Sequence, residues 1–277
     1  MGVTTFAQFI GIDFSAARDA GQRIWLARAV PTHGHLRIDA VFAAAERFGR
    51  SRQEATAGLV TFLAASTGAL VACDACFGLP DPLVSEPWTD WIRLYPARFP
   101  DPVTLRAASR TAEGHERRRL TDHLAGAPFA PTNLRLYRQT DLWLRCILSE
   151  LVRRQVVTVA PFQEPEPPKP HLIEVCPAAS LRSWGLPYRG YKGRGLAQRA
   201  MRVRIVQELQ AFGVDCPPAS CARIVDQPGG DALDAIIAVV TAWLVARDGS
   251  LRAPLPPEAY REGWIYTGDP RIAASCR

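Results

Sequence analysis

The sequence predicts an α/β fold in which a mixed sheet is flanked by helices. Three observations carry that expectation: a cluster of three strand-like segments near the start, later apolar strand-like runs separated by helix-patterned stretches, and a late helix that is apolar on nearly every face. A chain of 277 residues with 48% hydrophobic and 22% charged residues can bury a sizeable core, which excludes a disordered chain.

The first segment, Gln8-Phe9-Ile10-Gly11-Ile12-Asp13, reads as a strand that delivers Asp13 to its tip. Gly11 lets another backbone come close, and Ser15, Ala16 and Ala17 leave room beside the carboxylate for a ligand. Arg23 to Val30 and Leu36 to Phe42 are two further strand-like runs around a turn, completing an antiparallel meander. Ser51-Arg52-Gln53-Glu54 matches a capping box, and Ala55, Leu59, Phe62 and Leu63 follow at helical spacing. A helix is therefore predicted from about Arg52 to Ala65. Ala69 to Pro80 holds another buried-looking strand, with Asp74 near its end. A helix between two such strands implies a crossover, so this strand should lie parallel to the first, with both carboxylates at one sheet edge.

From about residue 81 to 170 the pattern becomes helical, interrupted by prolines and rich in arginine at Arg106, Arg110, Arg117, Arg118 and Arg119. It reads as a helical insertion in a single domain spanning 1–277, with the arginines expected to contact a polyanion. His171 to Pro177 returns to strand character and carries Glu174. Helical pattern resumes from Leu196 to Phe212, and Gly229-Gly230 opens the apolar helix Asp231 to Arg247, which must be buried. Residues 263–267 add a last short strand.

The net charge of +6 is carried by arginine, since Lys169 and Lys192 are the only lysines; the planar guanidinium suits phosphate and carboxylate partners. No apolar run is long enough to span a bilayer and the start lacks a basic leader, so a cytoplasmic protein without membrane attachment is expected. Seven cysteines, an odd number, agree with a reducing compartment. Cys73 and Cys76 form a C-x-x-C pair, with Cys216 and Cys221 as a second pair. Residues three apart on a strand face opposite sides, so neither zinc nor redox chemistry is expected there. The histidines show no metal spacing, and no glycine-rich phosphate loop is present.

Asp13, Asp74 and Glu174 on strands, with Asp231 and Asp234 opening the apolar helix, suggest a carboxylate cluster. Gathered carboxylates either take up protons or recruit a hard divalent cation, for which Mg²⁺ or Mn²⁺ is the expected cofactor. Each acid also has a plainer reading. Asp231 could be a helix cap, Asp234 a first-turn acid set against the helix dipole, and Asp74 and Glu174 strand-end acids paired with arginines.

In the order of its elements the chain resembles the ribonuclease H-like fold, and Asp231-Ala232-Leu233-Asp234-Ala235 is similar to the helix motif of RuvC-type Holliday-junction resolvases. More closely, the chain resembles the predicted RNase H-like nucleases grouped as domain of unknown function 429. The matching pieces are Gly11-Ile12-Asp13, Asp74 with Gly78-Leu79-Pro80, Glu174-Val175-Cys176-Pro177, Lys192 with Gly195 and Arg199, Asp231 to Ala235, and Glu262-Gly263-Trp264-Ile265. The resemblance implies that Asp13, Asp74, Glu174 and Asp234 are catalytic metal-site acids, with Asp231 a fifth. It also implies that Lys192 and Arg199 face a substrate phosphate. The implied activity is that of a metal-dependent nuclease or phosphodiesterase acting on nucleic acid. Cys176 departs from the family, which more often has a histidine before the proline. Two other readings remain. One is a catalytically silent scaffold that binds nucleic acid or protein through the insertion; the other, a phosphotransferase of the actin or sugar-kinase type, lacks the phosphate loops it would need. The sequence leaves DNA, RNA and small phosphoesters open as substrates.

Overall fold

In the computed structural model, which describes residues 6–271, the meander forms from β1 (Gln8–Asp13), β2 (Trp25–Thr32) and β3 (His35–Ala43), paired antiparallel. The tight β2–β3 turn is made by His33 and Gly34, both at positive φ, as a two-residue hairpin with the right strand twist requires. On its other side β1 pairs parallel with β4 (Ala69–Asp74), in a register that sets Asp13 beside Asp74. The sheet continues through β5 (Thr158–Val159) and β6 (His171–Val175). β6 lies parallel to β4 with Glu174 opposite Cys73, and β5 pairs with the outer side of β6. β7 (Val214–Asp215) extends β3, and β8 (Ile265–Tyr266) pairs with the end of β6. The strand order is thus β5-β6-β4-β1-β2-β3-β7, a mixed and mostly parallel sheet.

Helices cover both faces, as a mostly parallel sheet needs. Ile10 and Ile12 of β1 pack with Val71 and Cys73 of β4 against Leu59 and Leu63 of the Arg52–Ala65 helix. That helix has the predicted bounds and cap: Glu54 N–H donates to Ser51 Oγ (3.2 Å), and Ser51 N–H to Glu54 Oε2 (3.0 Å). On the opposite face Phe9, Ala27, Ala29, Leu70 and Ala72 pack against the Asp231–Asp248 helix, whose residues 232–245 are all buried. Gly11 makes that contact possible. A Cβ there would stand 2.1 Å from Ala235 O and 2.3 Å from Val239 N, so any side chain would lift the helix off β1.

Between β4 and β6 the chain forms the helices Trp88–Arg98, Pro102–Ala108 and Leu120–Leu124. A continuous run then passes from Tyr137–Leu142 through the π-helical Trp143–Leu148 to Ser149–Arg153. Trp91, Tyr95, Trp143 and Ile147 of this region share one core with β4. The stretch is not wholly helical, because β5 lies within it. The helices Pro177–Ser183 and Pro218–Asp226 and the strands β5 and β7 also went unpredicted, being too short to display a period. The six described cysteines are free thiols. No helix among the described residues is long and apolar enough to cross a membrane.

Candidate active site: an acid cluster at the sheet edge

Parallel neighbours carry their carboxylates to the same edge, so the β1–β4 register brings Asp13 and Asp74 together about one strand spacing (~4.8 Å) apart. The Asp231–Asp248 helix crosses β1 at Gly11, two residues before Asp13, so its first turn lands over the end of β1 and adds Asp234. Asp234 is 1% exposed and Asp13 9%, while Asp74 is half-buried.

Burial and mutual repulsion dominate the electrostatics. Desolvation, then Asp234 and Asp74, hold the Asp13 carboxyl well above the usual carboxylate range. Desolvation and then Asp234 push Asp74 up to about 7. Burial also raises Asp234, against the opposing pull of Lys192 and Tyr191. Among the described residues, Asp234 alone of these three acids is met by donors: the Lys192 ammonium lies 2.5 Å from Oδ2, and the Tyr191 hydroxyl donates to Oδ1 at 2.8 Å. Burial works against the charge on Lys192, but Asp234 and Asp13 outweigh it and keep the ammonium protonated. No donor among the described residues reaches the carboxylate of Asp13 or Asp74; Gln139 approaches only the Asp74 carbonyl, at 3.4 Å. Asp231 is half-buried at the rim, where its carboxylate accepts from Gln227 Nε2 at 3.1 Å.

The loop carrying Tyr191 and Lys192 is fixed by Arg202, a residue the sequence reading missed. Arg202 is 2% exposed and donates to the carbonyls of Tyr191 (2.6 Å), Gly193 (3.0 Å) and Val225 (2.7 Å). Its signal was present in the sequence: Arg202, Ile205, Val206 and Leu209 form one buried stripe of the Leu196–Ala211 helix.

Glu174 is engaged differently. Arg119 grips it with two hydrogen bonds, Nη2 to Oε1 at 2.6 Å and Nη1 to Oε2 at 2.8 Å, while Nη2 also pairs with Asp122 at 2.8 Å. Phe77 N–H donates to Glu174 Oε2 at 2.8 Å as well. Next to this pair, Glu262 accepts from the backbone N–H groups of Asp81 and Leu120, each at 2.8 Å, and its own carbonyl accepts from Arg119. This buried clamp ties together the segment after β4, the insertion and the helical turn Ala259–Glu262.

A family model described as Protein of unknown function (DUF429) matches residues 11–259. The chain belongs to this family. The matched span includes every acid of the cluster together with Lys192. No curated protein and no solved structure matches the chain.

Within this DUF429 chain the predicted site residues fall into two groups. Asp13, Asp74, Glu174, Asp231, Asp234 and Lys192 line one cavity of about 630 Å³. Arg199 does not join them; it pairs with Asp226 at 2.9 Å on the surface and borders a separate groove. The expectation that Arg119 contacts a polyanion is overturned, because its guanidinium is 1% exposed and fully engaged by Glu174 and Asp122. Cys176 also lines the cavity, its thiol pushed up to about 12 by burial and then by Asp74. Among the described residues no three His, Cys, Asp or Glu side chains are spaced to hold one ion as they stand; the ammonium of Lys192 stands among the acids.

Proposed function

We propose that the protein is a divalent-metal-dependent phosphodiester hydrolase, a nuclease built on a ribonuclease H-like sheet. One observation carries this reading. Asp13 and Asp74 end adjacent parallel strands in register, Asp234 closes over them, and the first two carboxylates meet no donor among the described residues. The antiparallel β1-β2-β3 meander followed by parallel β4 and β6 supports the ribonuclease H-like assignment.

The donor set suits a hard cation in its chemistry but not in its present spacing, since no three described His, Cys, Asp or Glu side chains stand close enough to hold one ion. It consists of oxygen ligands held in a partly buried place, and an added positive charge would relieve the repulsion that raises the Asp13 and Asp74 carboxyls. Asp13, Asp74 and Asp234 would hold a Mg²⁺ or Mn²⁺ ion, with Asp231 at the rim. Such an ion supplies Lewis acidity toward a phosphoryl oxygen and lowers the pKa of a water nearby. The chain's own residues contribute orientation and charge. Tyr191 fixes one oxygen of Asp234, Arg202 holds the loop, and Lys192 sets a positive charge beside Asp234 that would attract a substrate phosphate. Glu174 supports the wall of the site through Arg119 and has no free lone pair on the Phe77 side.

A second reading is favoured by the Lys192–Asp234 contact: a lysine that already neutralises the cluster suits a silent scaffold. Cleavage of labelled single- and double-stranded oligonucleotides with Mg²⁺, Mn²⁺ or EDTA separates the two. Metal-dependent cleavage that Asp13→Asn abolishes supports the hydrolase; wild-type protein that cleaves nothing under any condition supports the scaffold.

A further inference from the structure

The cavity mouth carries chemistry that the acid cluster does not use. Phe129, from the insertion, and Tyr188, from the loop before Lys192, are both half-buried and both line the cavity. Each has an exposed arginine against its ring: Arg135 lies 5.3 Å from the centroid of Phe129, and Arg189 lies 5.1 Å from that of Tyr188. Neither arginine has a carboxylate partner among the described residues, unlike Arg23 at the same mouth, which pairs with Asp19. Aromatic faces beside unpaired guanidinium groups are the elements with which proteins hold bases by stacking and the backbone by charge.

Depth adds the second constraint. On the floor of the cavity Asp13 is 9% and Asp234 1% exposed, beside a half-buried Asp74, and the volume of about 630 Å³ lies in the range that takes one small ligand. Duplex DNA is stiff, with a persistence length of about 50 nm, and its phosphates ride on a convex surface. A duplex reaches a recessed phosphate position only by deforming, at an energetic cost that a single strand does not meet. A single strand rotates freely about its backbone, and every base offers a face for stacking.

We propose that this site takes single-stranded nucleic acid, with bases stacked on Tyr188 and Phe129 and phosphates met by Arg189 and Arg135, and that it disfavours duplex. The inference rests on the phosphodiesterase reading and specifies its substrate.

The test is fluorescence anisotropy in EDTA, where binding is read without cleavage, using a labelled oligothymidylate, a labelled blunt duplex, and thymidine monophosphate as competitor. The wild type should bind the single strand at least about tenfold tighter than the duplex. Tyr188→Ala and Phe129→Ala should each weaken it roughly 5- to 100-fold, the range for losing a base–aromatic stack. Arg189→Gln, on the surface, should lower the slope of log affinity against log salt by roughly one contact while circular dichroism stays unchanged. Duplex bound as tightly as the single strand, no binding of either, unaltered single-strand binding in all three variants, or competition by the mononucleotide at equal potency would each overturn the proposal. Cleavage confined to duplex would overturn it while leaving the hydrolase reading intact. The predicted binding pattern without any metal-dependent cleavage would uphold it and remove the hydrolase reading.

Discussion

Asp74→Asn should flatten the pH dependence of stability in the metal-free protein. Burial and then Asp234 raise the Asp74 carboxyl from an ordinary value near 3.8 to about 7 in the folded chain. Between those values the folded state holds a proton that the unfolded state has lost, so stability falls as pH rises. The contribution is complete below the unfolded pKa and is lost as pH climbs through about 7. At about 1.4 kcal/mol per pKa unit the whole shift is worth roughly 4 kcal/mol, of which roughly 2–3 kcal/mol falls between about pH 5 and about pH 8. Asparagine has no charge to bury. Removing the charge also eases Asp13, whose carboxyl Asp74 helps to raise, so the measured difference should be at least this large. Urea unfolding in EDTA at the two pH values gives the comparison. The wild type is expected to lose roughly 2–3 kcal/mol more than the variant, and parallel losses in the two proteins would refute the electrostatic picture of the cluster.

Glu174→Gln leaves the buried Arg119 guanidinium with Asp122 as its remaining acid, and should cost about 3 kcal/mol of unfolding free energy. Unchanged stability combined with a lost response to Mg²⁺ would return Glu174 to the ligand set. Gly11→Ala sets a Cβ 2.1 Å from a helix carbonyl, so the loss should exceed the ~1–3 kcal/mol of ordinary overpacking; a wild-type melting temperature would contradict this close approach. Arg202→Lys keeps the charge but cannot reach three carbonyls with one fork, and amide hydrogen exchange at Tyr191 and Gly193 should accelerate, whereas equal protection would remove Arg202 as the holder of the loop.

What could be read from the sequence was local. The Arg52–Ala65 helix was legible to its end residues because a capping box and a helical stripe lie in one short window. The strands bearing Asp13, Asp74 and Glu174 were legible as apolar runs holding one acid, and Gly11 as a point of close approach. The roles of the basic residues were not. Arg117, Arg118 and Arg119 are indistinguishable as a triplet, and Arg119 is singled out by Glu174, 55 residues away, together with Asp122. Lys192 and Arg199 likewise separate only in three dimensions, one falling on Asp234 and the other on Asp226. β5 and β7 have two residues each, too few for alternation to register, whereas the short strand expected over 263–267 is β8.

A divalent-cation site at Asp13, Asp74 and Asp234 is tested most directly by calorimetric titration of Mn²⁺ into the wild type and Asp13→Asn at about pH 6, below the value of about 7 to which Asp74 is raised. The wild type should show saturable binding with release of protons, because the raised carboxyls must give up the protons they hold before they can bind an ion. Asp13→Asn should show neither. Binding of equal strength in both proteins, or none in the wild type, would contradict the assignment.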